Sequence, residues 1–520
     1  MYRHTRPFAE SHRVSERPPV LLGDTKPAVA DIAAIARGRV PVELTAGMER
    51  RLEAARAVVE QQLAANVPVY GLTTGLGAGV DTRLGLADVT AFQQRVPQAR
   101  AVSVGAPVPV ETVRAIMAAR LSGFAGGASG ISPGVAVTLV QALNAGVHPV
   151  VHSLGSIGEA DLAQMSDVTR GLMGHGEAEF GGEILPAADA LSRAGVTPLV
   201  LGPRDGHAMV SANAFSIALA CLALDDLDRL IDWSFSGTAL AFEAFRAATG
   251  VLDPRVLSLR PAFGQEEAGA RLMQLFAGSA LLHEGAARRL QDPLSYRCAP
   301  QIWGALLHGR EEAAEATGIE LCGPGDNPVV LIEEGLLVHN GNFDTTALAL
   351  SWERLGMAMV QCASAVTHRC MQIMSPGISD LPRFLSPMGS SRNGFATVQK
   401  TLAALEAEIR HLATPMAFPP IPVADGIEDH ASLAPGVLAK TATIIDRFRL
   451  LVAIEMIVSA QAVELRGVAH TLGAGTARAY AWVRNCVPPL TEDRAQGADF
   501  SAMAELLREE SPATTLLVTD

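Results

Sequence analysis

Aromatic residues are scarce in this chain, 5% of 520 residues, and charged residues make up only 18% against 49% hydrophobic. So little charge on so apolar a chain excludes a disordered protein and leaves ample length for a large core. A basic excess is lacking too. Lys and Arg number 41 against 54 Asp and Glu, a net charge of -13, which excludes a broad basic face for nucleic acid. The six cysteines, Cys221, Cys298, Cys322, Cys362, Cys370 and Cys486, show no C-x-x-C spacing, so neither a disulfide framework nor a zinc knuckle is expected. No run of about 18 apolar residues stands out, and no membrane span is expected. The opening MYRHTRPFAESHR has no apolar stretch of the kind that marks a secretory signal, and the expected location is the cytoplasm. A G-x-S-x-G elbow, an H-E-x-x-H zinc motif and a 20–50-residue repeat are all missing. His148, His152, His175, His207 and His430 lack ligand spacing, so no metal is expected. What is plentiful is Ala, Leu, Gly and Val. High apolar content under a thin charged surface predicts buried subunit interfaces, hence an oligomer.

The punctuation of the chain divides it. Residues 1–20 are polar and read as a flexible N-terminus. Residues 21–205 mix short helical stretches with Gly/Pro-rich turns such as GLTTGLGAGVDTRLG and GFAGGASGISPG, a loop-rich N-terminal domain. Residues 206–480 carry long stretches with apolar residues at i, i+3, i+4 and i+7, among them SANAFSIALACLALDDLDRLIDW and TTALALSWERLGMAMVQCASAVTHRCMQIM. These predict a long-helix bundle with polar loops collected at its ends. GDNPVVLIEEGLLVHNGN reads as a small hairpin, and 481–520 as a C-terminal tail region. The fold class is mainly α.

The loops carry recognisable motifs: VYGLTTGLG (69–77), LNAGVHPVV (143–151), GSIGEADLA (155–163), QDPLSYRCAPQ (291–301), GDNPVV (325–330), NGNFD (340–344) and IEDH (427–430). In this order they resemble the histidine/phenylalanine ammonia-lyase family, from about residue 20 to 510. The resemblance implies an ammonia-lyase-like helical subunit in a homotetramer whose active sites draw on three chains. It also implies a small amino-acid-like substrate, with no nucleic acid or membrane partner. The family removes ammonia from aromatic amino acids with an electrophile, methylidene-imidazolone, that forms from an Ala-Ser-Gly tripeptide inside a segment of the type GSVGASGDLAP.

Site residues follow from the same resemblance. Tyr70 matches the catalytic base, a phenol that ordinarily ionises near pH 10. Thr73, Thr74, Gly75 and Gly77 suit a flexible lid around it. Arg297 matches the arginine that holds the substrate carboxylate, a task for a bidentate guanidinium. Gln291, Phe343 and Glu428 match polar, wall and acid positions, while Asp292 and Asp326 read as loop-holding aspartates. Other positions depart from the family. Ser211 stands where an asparagine supports the cofactor, with Asn213 two residues on. Leu294 replaces a tyrosine, Arg100 falls where a ring-contacting histidine is common, and Asp344 replaces a histidine.

In the cofactor segment the tripeptide gives way to Glu159-Ala160, one residue shorter. Ala128-Ser129-Gly130 falls instead at a Gly-rich turn upstream of LNAGVHPVV. The expectation is therefore a chain without methylidene-imidazolone. It would carry out a cofactor-independent β-elimination of an aromatic or imidazole-bearing amino-acid derivative, such as a trimethylammonium betaine of the kind an ergothionase cleaves. Tyr70 would be the base, Arg297 the carboxylate anchor, Glu159 or Asp344 the ammonium partner and Glu428 the ring partner. A conventional ammonia-lyase, other small-molecule chemistry on the same scaffold and a non-catalytic homologue remain open alternatives.

Overall fold

The computed structural model describes residues 17–389, 391–418 and 421–512. Most of residues 1–20 and the end of the 481–520 segment therefore lie outside the described residues. The architecture is mainly α. Ten helices matter here: α1 (Ala46–Ala64), α2 (Val89–Arg100), α3 (Val110–Phe124), α4 (Pro133–Ala145), α5 (Leu162–Leu172), α6 (Asp205–Val210), α7 (Ala214–Phe245), α8 (Ala299–Cys322), α9 (Thr346–Ile373) and α10 (Ala434–Arg466). Strands are short. β1 (Val20–Leu22) pairs in parallel with β2 (Val42–Leu44). Three antiparallel groups follow: β3 (Val104–Pro107) with β5 (His152–Leu154), then β4 (His148–Pro149), β6 (Glu177–Phe180) and β7 (Glu183–Pro186), then the hairpin β8 (Val329–Leu331) and β9 (Leu336–Val338).

The chain forms two compact units, each assembled from three separate stretches. The sequence reading had placed consecutive domains. The first unit comprises Met1–Asp225, Ala314–Leu350 and Met416–Ala439. Its core packs Ile116, Leu121 and Phe124 of α3 with Leu139 and Leu143 of α4, Met165 and Leu172 of α5, and Met209 of α6. Local chemistry sets the helix ends. Thr45 Oγ1 accepts from Met48 N at 3.2 Å to cap α1, and Pro133 occupies the first turn of α4, which Gly146 ends at φ +79°.

The second unit comprises Asp226–Ala313, Ser351–Pro415 and Lys440–Asp520. At its centre the wholly buried pair Arg369–Glu455 is bidentate, Nε–Oε1 2.6 Å and Nη2–Oε2 3.2 Å. Arg369 also donates to Ser295 O and Thr238 Oγ1, each at 3.0 Å. Few lone pairs are left wanting, which is what a buried ion pair requires. The ring of Tyr296 stacks on Phe245 with centroids 4.4 Å apart.

The stretch Asp205–Phe245 is long and apolar enough to cross a bilayer by length and composition, where the sequence suggested no such segment. Its apolar window is 89% buried inside the protein, so it serves as a core element.

Candidate active site

One cavity is lined wholly by residues of the first unit. It has a volume of about 630 Å³. Its wall takes Tyr70 from the loop after α1, Glu159 from the loop before α5, and His207 and Ser211 from the end of α6. Phe343 and Asp344 come from the loop before α9, and Glu428 and His430 from the loop before α10.

Tyr70 is held from several sides. Gly77 N donates to its Oη at 2.9 Å. The ring meets His207 and His339 edge-on, at 5.5 and 6.3 Å between centroids. The start of the loop is hydrogen-bonded to itself. Buried Thr73 accepts from Val69 N at 2.8 Å and donates to Val67 O at 2.6 Å. Gly71 sits at φ +66°, where a Cβ would come within 2.9 Å of the His207 ring.

Cationic groups gather beside Tyr70. Arg100 ends α2; burial lowers its pKa, while the charges of Tyr70 and Glu428 oppose that shift. Arg204 is wholly buried, donates to Ser129 O at 3.2 Å and Pro328 O at 2.7 Å, and leaves Nη1 without a partner. Burial brings its pKa down to about 10, with Asp326 resisting the change. Asp326 accepts from Arg120 Nη2 at 2.8 Å. It is thus an ion-pair partner as well as part of a loop. Burial and then Arg204, with Arg100 and Arg120 adding, push His207 well below its usual range. These surroundings disfavour a charged ring.

Another part of the wall is acidic. Glu159 is half-buried, and its Oε1 is shielded from solvent with no hydrogen-bond partner. Burial, reinforced by neighbouring Asp344, raises its pKa to about 8. Burial also works against ionisation of Asp344, but Thr346 N and Oγ1, each 3.0 Å away, hold its carboxyl below the usual range. The two carboxyls lie close enough that each alters the ionisation of the other. His430 Nε2 lies 3.3 Å from Asp344 Oδ2. Ligand atoms of Glu159, Asp344 and His430 all fall within 4.8 Å of one another, a grouping that suits a single positive charge. Glu320, pushed up to about 7 by burial and by Asp344, extends the acidic field.

The acid loops are braced from behind. Asn213 Oδ1 accepts from Ala160 N at 2.9 Å, and its Nδ2 donates to Phe343 O at 2.7 Å. Buried Asp161 accepts from Ser156 Oγ at 2.6 Å and from Ser216 N at 2.8 Å; burial raises its pKa to about 6 despite these bonds. Thr345 Oγ1 donates to Gly158 O at 2.8 Å.

Of the residues named from sequence, Tyr70, Glu159, Ser211, Phe343, Asp344 and Glu428 line the cavity. Asn213 braces its wall, and Arg100 lies within electrostatic reach of Tyr70 and Glu428. Arg297 and Gln291 belong to the second unit, where Arg297 Nη1 donates to Gln291 Oε1 at 3.1 Å, and they are not among the lining residues. Asp292 accepts from Ala248 N at 2.6 Å, the loop-holding part expected of it. Sequence reasoning missed Arg204, His207, His339 and the approach of His430 to Asp344. The motif GPRDGH, which runs into α6, was the available signal for the first two.

Residues 28–485 match the family model for aromatic amino acid lyases. The chain belongs to the aromatic amino acid lyase family. It is 36% identical to histidine ammonia-lyase of Gloeobacter violaceus over 93% of this chain and 94% of that one. With histidine ammonia-lyase of Alkaliphilus metalliredigens it shares 33% identity over 88% and 90%. Among solved structures it is similar to ergothionase from Treponema denticola in complex with desmethyl-ergothioneine sulfonic acid. That similarity has a TM-score of 0.90 at 30% identity and covers 96% of this chain and 100% of that one. Phenylalanine aminomutase of Pantoea agglomerans gives a TM-score of 0.91 at 25% identity, over 95% and 99%. These relatives are carbon–nitrogen lyases or close kin, and the protein is an enzyme of that class.

The relatives also correct one expectation. Histidine ammonia-lyases matching nine-tenths of the chain are members for which methylidene-imidazolone is the rule, so they point to that group being present rather than absent. The fit of the residues is poor at the expected place, since Glu159-Ala160 carries neither the serine nor the glycine of the tripeptide. Ala128-Ser129-Gly130 sits in the turn before α4, Ser129 wholly buried, outside the residues that line the cavity.

Proposed function

We propose that this lyase eliminates an amine from the α-position of an amino-acid-like carboxylate bearing an aromatic or imidazole group, and that its substrate class is a trimethylammonium betaine. The Glu159–Asp344 pair, with an unpartnered oxygen in the wall that also holds Tyr70, carries this reading. A quaternary nitrogen bears a permanent charge, so it sits against the pair without yielding a proton of its own. Tyr70 takes the β-proton, the electrons form the Cα–Cβ double bond, and the C–N bond breaks to release neutral trimethylamine. Phe343 walls the ring and Glu428 partners it. Arg297, with Gln291, anchors the carboxylate from a neighbouring copy in a homotetramer, the assembly that the family resemblance implies. The ligand held by the similar ergothionase supports the imidazole-derived class.

The test is to incubate purified protein with histidine betaine and with ergothioneine. Trimethylamine should appear together with the ultraviolet absorbance of an α,β-unsaturated acid. Release from neither compound would sink the betaine assignment. A second reading, ammonia release from histidine, is favoured by the 33–36% identity to histidine ammonia-lyases; ammonia from L-histidine with no amine from betaines would select it.

A further inference from the structure

Another cavity, of about 320 Å³, is lined wholly by residues of the second unit, a size at the lower end of the range for small-molecule sites. Three helices build it. α7 gives Asp232, Trp233 and Phe235, the helix Gln265–Leu275 gives Arg271 and Gln274, and the helix Ala474–Cys486 gives Arg478, Ala479 and Trp482. Asp232 and Phe235, Arg271 and Gln274, and Arg478 and Trp482 are three or four residues apart, which puts each pair on one side of its helix. Gly475 lets two of the helices close up, since a Cβ there would come within 2.7 Å of Leu275 Cα. One turn on, Ala479 lines the gap with a methyl group alone. The walls are aromatic: Trp233 and half-buried Trp482 meet edge-on with centroids 5.7 Å apart, and the Arg271 guanidinium lies 5.5 Å from the centre of the Phe235 ring. Arg271 is already shared by two acids, Asp232 Oδ1 at 3.4 Å and Glu267 Oε1 at 2.7 Å. Arg478 is exposed, and among the described residues its guanidinium has no counterion.

The geometry points to a second ligand site here, separate from the cavity around Tyr70, that takes a small planar aromatic monoanion. Indole and phenyl walls suit a flat ring, and Arg478 supplies a planar pair of donors for a carboxylate, with the Gln274 amide on the same wall. A cation would meet Arg478 and find Asp232 already paired. A dianion would bring a second charge for which no lining cation is left. The site is independent of the reaction proposed above, because it shares no residue with the Tyr70 cavity.

Tryptophan emission of the full-length protein, titrated with 3-phenylpropanoate, tests it. Two of the four tryptophans, Trp233 and Trp482, line this cavity; the other two, Trp303 and Trp352, are wholly buried elsewhere, and none lines the Tyr70 cavity. Emission therefore reports on this site even if the acid also enters the other. The shift should saturate with a Kd on the order of 0.1 mM, reasonable for a ligand of this size. The neutral 3-phenylpropanamide should bind about 3- to 10-fold more weakly, the worth of one exposed charged contact. Arg478→Glu should weaken the acid by at least that much, leave the amide unchanged and keep the wild-type circular dichroism spectrum. Ala479→Leu should fill the gap and abolish the shift for both compounds. No saturable shift, equal affinity for acid and amide, or an unchanged Kd in Arg478→Glu would overturn the inference. Should Ala479→Leu fail to fold, Arg478→Glu, on the protein surface, decides alone. Amine release from the betaines is a separate readout, so the two proposals fail separately.

Discussion

Titrating Glu159 should switch the strength of the cation pocket. Its pKa is raised from 4.5 to about 8, so below pH 8 the pair carries one negative charge and above it two. The added charge would lie about 4–5 Å from a trimethylammonium group, a Coulomb attraction of about 1–4 kcal/mol between bulk-water and near-surface dielectric. Glu159 is only half-buried, and solvent screening brings this to about 1 kcal/mol, a ~5-fold gain in affinity. Affinity for histidine betaine should therefore rise between about pH 7 and 9. It should be measured calorimetrically in the Tyr70→Phe background, which binds without turning over. In Glu159→Gln that rise should vanish and affinity should stay at its low-pH level, leaving only the weaker trend that Glu320, at about 7, contributes from lower pH. A flat or falling profile in the parent, or the same slope in the Gln variant, would refute the reasoning.

The same shift has a stability consequence. A carboxyl whose folded pKa exceeds its unfolded value favours folding most at low pH and loses that benefit between about pH 4.5 and 8. Glu159→Gln should therefore raise the melting temperature at pH 8 by about 1 °C, the shift that about 1 kcal/mol after screening gives a chain of this length, and leave it little changed at pH 4.5. Tyr70→Phe should abolish amine release while binding and assembly persist; full turnover in that variant would remove Tyr70 from the mechanism. Asp161→Ala strips the partner from Ser216 N inside the core and should cost about 2–4 kcal/mol in denaturant unfolding. Gly71→Ala adds a Cβ against the His207 ring at a positive φ. It should lower turnover by tenfold or more and change the circular dichroism spectrum little.

Helix periodicity and turn chemistry made the helical class legible, as with Pro133 and Gly146 bounding α4. The ordered motifs made Tyr70, Phe343 and Glu428 legible as cavity residues, because each sits on a short loop whose local pattern is distinctive. The discontinuous units were not legible, since apolar periodicity says which face of α8 or α9 is buried but not against which segment. The Glu159–Asp344–His430 grouping was illegible for a related reason: three distant loops supply it, and no spacing rule spans them. The hydrogen bonds inside the Tyr70 loop were not legible in a run of Gly and Thr. The Thr73 hydroxyl accepts from one backbone group and donates to another. His207 and Arg204 read as ordinary polar residues of a GPRDGH turn, and only burial reveals that they sit where a charge is costly.

Asn213 grips Ala160 with one end of its amide and Phe343 with the other, next to the carboxyls of Glu159 and Asp344. One side chain thus acts as a caliper on the gap between Glu159 and Asp344. Lengthening it to Gln would spread the jaws, and Asp would set an acceptor against the Phe343 carbonyl and break one grip. Through this one codon a lineage could widen or narrow the gap between the two acids while every charged residue stays in place.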